Sequence, residues 1–122
     1  SAGVAKEAII VPVMVLGCDG RGLLSDIIEG MDWAVSDLAA HPGTRGVISM
    51  SLGGIGQSQL WDMAVRAAHV AGIPVVAAAG NDWIDNCVSS PLSEPSTIVV
   101  GASNEFDARW YNYGACVDIF AP

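Results

Sequence analysis

Three near-continuous apolar runs decide what this chain can fold into. Residues 9–16 (IIVPVMVL), 47–52 (VISMSL) and 73–79 (IPVVAAA) each have strand length, and each stops at a glycine-containing segment. Apolar runs without polar alternation mark strands buried on both faces, the habit of parallel sheets. Pro12 cannot donate to a ladder, so the first run is expected to be irregular in its early part. Between the runs lie two stretches with helical spacing. From Ser25, which suits an N-cap, apolar residues recur at Ile27, Ile28, Met31, Val35 and Leu38, with Asp26 and Glu29 at the positive end of the helix dipole. HPGTRG ends that helix. The second runs from about Ser58 to Ala71, with Leu60, Trp61, Ala64, Val65 and Ala68 as its inner face, and Gly72 and Pro74 stop it. A serine- and proline-rich irregular section over residues 82–96 precedes two further short strands at 97–102 and 117–120. The order strand, helix, strand, helix, strand predicts an α/β fold, a parallel sheet with helices on both faces.

Right-handed crossovers would bring the carboxyl ends of the three strands to one edge, where such sheets hold their ligands. GCDGRG, SLGGIG and AAGND would then line one rim. A nucleotide site fits poorly. Gly20, Gly22 and Ser25 make a loose G-x-G-x-x-S, but no carboxylate ends the next strand and no lysine follows a glycine run as a P-loop needs. A self-contained serine hydrolase also fails, because there is no G-x-S-x-G elbow and His41 and His69 fall in a turn and near a helix end. A peptide-binding rim fits better. The glycines of residues 49–54 leave room for an extended backbone, and the Asn81 amide could donate to an oxygen that turns negative during acyl transfer. An asparagine after glycine is equally an ordinary turn residue. The residues alone leave both readings open.

Composition narrows the partners. The 122 residues suit one domain, yet only 15% are charged and 52% are hydrophobic, against about 25% charged in an ordinary soluble domain. The shortfall implies that other protein covers part of this surface. The net charge is −8 and the five basic residues form no cluster, which excludes nucleic acid as a partner. No uninterrupted apolar stretch approaches the roughly 18 residues of a membrane-spanning helix. The acidity serves solubility or cation binding. Cys18, Cys87 and Cys116 cannot all pair within the chain and match no zinc spacing, so the redox compartment stays open. The opening SAGVAKEA lacks the pattern of a signal peptide and reads as a start in mid-domain.

The blocks VAKEAIIVPVMVLGCDGRGLLSDIIEGMDW, ISMSLGG, VVAAAGND, SPLSEPSTIVVGAS and NYGACVDIFAP, in this order, resemble the middle of a subtilisin-like serine protease. They are most similar to the proteinase K branch, with residues 1–122 as the central part of the peptidase domain. The resemblance implies that Asn81 is the oxyanion-hole asparagine. It implies that Ser51, Leu52, Gly53 and Gly54 pair with substrate backbone beside the primary specificity pocket. Ala78, Ala79 and Gly80 would wall that pocket, with Ser89, Ser90 and Pro91 opposite. Gly20, Gly22 and Leu24 would belong to the second substrate-binding strand, Leu24 beside a distal side-chain pocket. A cis bond is expected at Ser90–Pro91. No cofactor is required, but a structural Ca²⁺ is implied on the carbonyls of Pro95 and Thr97 and the carboxylate of Asp118, which is otherwise a structural carboxylate.

The departures are as informative. The family's H-G-T-H and G-T-S-M-A blocks and its first-strand aspartate, which carry the catalytic triad, have no counterpart here. Two residues fewer precede Asn112, Gly17 replaces a common aspartate and Leu92 a common alanine. No cysteine matches a disulfide position carried over from the family. The expectation is a segment of a secreted or vacuolar/lysosomal serine endopeptidase acting on peptide or protein substrates. It would be inactive alone and completed by the rest of its domain or by other subunits. The alternative is a triad-less relative acting as a scaffold or binding subunit in a larger assembly.

Overall fold

The computed structural model describes residues 4–122. Its elements are α1 (Leu24–Ala40), β1 (Ile48–Met50), α2 (Gln59–Val70), β2 (Val75–Ala78), β3 (Thr97–Ser103), β4 (Arg109–Trp110) and β5 (Ile119–Ala121). β1, β2 and β3 run parallel side by side, Met50 opposite Ala77 and Ala78 opposite Val100. β5 joins β3 in parallel, and β4 lies antiparallel on the last two residues of β3. The sheet is mostly parallel, as the apolar runs predict. The two-residue β4 carries no such run and was not legible as a strand.

The helices form for the expected reasons with shifted details. α2 is capped by Ser58, whose hydroxyl oxygen accepts from the Trp61 amide at 3.4 Å. α1 begins one residue before Ser25, after an extended Leu23, and the Ser25 hydroxyl donates to the Asp26 carboxylate instead of capping. Leu60 does not belong to the inner face of α2: it is exposed, and Asp62, in the same first turn, is buried instead. Both helices share one core cluster in which Ile27 and Met31 of α1 meet Trp61, Val65 and Ala68 of α2 over Met50 and Val75. Strand alternation places Val75, Ala77, Met50 and Val99 on that one face. Among the described residues, helices cover this face alone. The other face carries exposed Ile98 and Ile119, in line with the low charge content.

The strand expected at residues 9–16 is corrected. The segment adopts no regular secondary structure and joins no ladder with other described residues. A slot of about 770 Å³ floored by α1 separates Val11, Val13 and Val15 from Ile48 and Met50. Extended backbone without a neighbour about 4.8 Å away has no ladder. Periodicity reports burial, not pairing.

The cysteine question resolves as well. Cys87 and Cys116 are joined by a disulfide with Cα atoms 5.5 Å apart, and Cys18 is a free, exposed thiol.

Candidate active site

Because β1 and β2 are parallel and in register, the chain leaves both at the same edge. Ser51 follows Met50 there, and Ala79 follows Ala78. The loop after β1 is fastened to the segment before β3. The Gly54 amide donates to the Ser90 carbonyl at 3.0 Å, the Ser90 amide to the Gly56 carbonyl at 3.0 Å, and the Gly56 amide to the Ser89 hydroxyl at 3.3 Å. Residues 51–54, 78–81 and 89–91 therefore form one rim.

Their side chains divide into two groups. Ser51, Gly53, Ala78 and Asn81 are exposed, whereas Ala79, Ser89, Ser90 and Pro91 are buried. Ser90 is 1% exposed. Its hydroxyl donates to Asp62 Oδ1 at 2.6 Å and accepts from the Ser58 amide at 2.8 Å, tying the rim to the start of α2. The Ser90–Pro91 bond is cis, as expected. Leu24 and Leu52 pack partly against the helical core, so the side chains of both substrate-strand candidates serve the interior as well. Gly20 has φ +73°, and a Cβ on Gly22 would collide with the Val15 carbonyl. Glycine is thus required where residues 17–22 turn back toward α1.

The glycine at which the third apolar run stops has a physical reason. Gly80 has φ +99°, and a Cβ there would lie 2.6 Å from Asn112 Nδ2. Asn112 is 1% exposed and was not singled out as a site residue. Asn81, next to this crowded point, is exposed, and its side chain makes no hydrogen bond to any other described residue. Chemically, the rim offers a free carboxamide donor beside glycine-rich backbone at the carboxyl edge of a parallel sheet.

Neither histidine reaches this edge. His41 ends α1 and stands shortly before Ile48, where β1 starts, so it lies toward the amino ends of the strands; its Nδ1 lies 2.7 Å from the Asp37 carbonyl oxygen. His69 sits in the last turn of α2, likewise remote from the carboxyl ends.

For the implied cation, Asp118 Oδ2 accepts from the Val99 amide at 2.8 Å, and the Thr97 hydroxyl donates to the Pro91 carbonyl at 2.6 Å. Among the described residues no group of three or more histidine, cysteine or acidic side chains could hold a metal. The second Asp118 oxygen and the Pro95 and Thr97 carbonyls suit calcium in kind. They fall short of its usual six to eight oxygens, so water would complete the shell.

A model of the subtilase family matches residues 1–122. The chain belongs to the subtilase family. A subtilase-type proteinase of Schizosaccharomyces pombe is 47% identical over 98% of this chain and 26% of its own length. A subtilisin-like serine protease of Rhodotorula mucilaginosa is 48% identical over 98% of this chain and 36% of its own. Among solved structures, a cold-adapted subtilisin-like serine proteinase superposes with a TM-score of 0.89 at 43% identity, covering 98% of this chain and 43% of that one. This subtilase segment thus spans about a quarter to a third of those two relatives' length. No described helix is long and apolar enough to cross a membrane.

Proposed function

We propose that these residues supply the oxyanion donor and the substrate-binding rim of a subtilisin-like serine endopeptidase. Serine, histidine and aspartate would come from polypeptide outside the 122 residues and perform the acyl transfer. The same polypeptide would cover the exposed sheet face. The observation that carries this reading is the free, exposed Asn81 carboxamide at the carboxyl edge of the sheet, the same edge at which residues 51–54 leave β1. The Cys87–Cys116 bridge supports an oxidising compartment, and with it a secreted or vacuolar location. A weak structural calcium at Pro95, Thr97 and Asp118 is part of the same proposal.

The test is kinetic. In the full-length protein, Asn81→Ala should lower kcat by about 10²–10³-fold with little change in KM, a magnitude measured on a subtilisin. The 122-residue chain alone should not turn over a generic peptide substrate. An unchanged kcat in the variant, or turnover by the isolated chain, would overturn the assignment.

A further inference from the structure

Asn112 holds both flanks of Asn81 with a single buried carboxamide. Its Nδ2 donates to the Ala79 carbonyl at 2.8 Å, two residues before Asn81. Its Oδ1 accepts from the amides of Asp82 at 2.7 Å and Ile84 at 3.2 Å, just after Asn81. Its own amide points at the Gly80 carbonyl at 3.5 Å. The loop that presents Asn81 therefore closes around one side chain, and Asn81 itself is left free.

Two further features brace the arrangement. Trp83 and Tyr111 adopt φ of +61° and +64°, a left-handed conformation that a bulky side chain disfavours and that persists only where surroundings enforce it. Their rings meet at a tilt of 54° with centroids 5.3 Å apart, and Trp110 lies edge-on at 5.1 Å from Trp83, so the loop after Asn81 is fastened to the residues just before Asn112. On the other side, the Cys87–Cys116 disulfide joins the same two segments.

We infer that Asn112 is a positioning residue for Asn81: it sets where the oxyanion donor stands without touching substrate. The inference rests on the oxyanion reading proposed above. A donor aimed at developing charge acts only from the right place, and displacement by about 1 Å can cost about 10²-fold in rate. A residue needed merely for folding would lower the amount of active protein and leave each active molecule unchanged.

The experiment is a double-mutant cycle in the full-length protease, with kcat expressed per titrated active site so that misfolded molecules drop out. Asn112→Ala is expected to lower kcat by about 10–10²-fold with KM within about twofold. In the Asn81→Ala background the same change should cost less than about twofold, because the group it positions is gone. Asn112→Asp keeps the acceptor for Asp82 and Ile84 but loses the donor to Ala79. Its kcat loss should likewise fall below about twofold in the Asn81→Ala background, and it provides the cycle if the alanine variant does not fold. Equal kcat losses in both backgrounds, or no loss per active site, would overturn the positioning role. If Asn81→Ala alone leaves kcat unchanged, it is the oxyanion reading that fails.

Discussion

Replacing both Cys87 and Cys116 by serine in the full-length protein is the perturbation with the clearest expected size. The bridge spans 29 residues of sequence, and opening a loop of that length returns about 3.6 kcal/mol of chain entropy to the unfolded state. On the native side the loss is small in volume. The Cys116 amide donates to Cys87 Sγ at 3.0 Å, and a serine oxygen can take that bond. For a domain of a couple of hundred residues, 3.6 kcal/mol is a drop in melting temperature of about 7–14 °C, nearer the lower figure for a larger one. Thermal melts of wild type and double variant, with and without dithiothreitol, read it directly. Reductant should lower the wild-type melting temperature and leave the variant unmoved. Alkylation of Cys87 and Cys116 in the denatured, unreduced wild type, read from their peptides by mass, or equal melting temperatures, would refute the reasoning. The loop so closed contains β3, β4 and Asn112, so the variant should also lose kcat through the Asn81 loop.

Two further outcomes are expected. Arg66 Nη2 lies 2.6 Å from Glu94 Oε2, and this hydrogen-bonded pairing holds the nearly buried Glu94 carboxyl below its ordinary value near 4.5. A depressed carboxylate stabilises the fold fully above its unfolded pKa and loses that contribution as pH falls through the folded one. Arg66→Met should therefore cost stability at pH 7, and the gap from wild type should shrink below about pH 4.5; chemical denaturation showing a gap that is constant or widens in acid would contradict the assignment. Calcium should raise the melting temperature of the wild-type protein and not that of Asp118→Asn, while an equal rise in both, or none, would remove the proposed site.

How much was readable from the sequence follows the kind of interaction. Strand edges and helix faces are local and periodic, so β1, α2 and β2 fell close to their expected places. The family blocks supplied the Asn81 rim and the Ser90–Pro91 isomer. Pairing is different. Residues 9–16 look like a strand by composition, yet a ladder depends on a neighbour far away in sequence. Leu60 lies outside the core because the buried stripe of α2 runs through Trp61, Val65 and Ala68 with Asp62 on its flank, and at 100° per residue Leu60 falls beyond the opposite flank. The Cys87–Cys116 bridge and the four contacts of Asn112 join points about 30 residues apart, and no spacing rule announces them.

The slot between residues 7–15 and β1 predicts two regimes of hydrogen exchange. Backbone amides of residues 9–16 have no ladder partner among the described residues, so their hydrogens exchange through local openings of low free energy. Those of Val75 to Ala77, held between two neighbouring strands, exchange only when a much larger unit opens. Whatever fills the slot would weld these two regimes into one, turning a loosely tethered segment into part of a single cooperative transition.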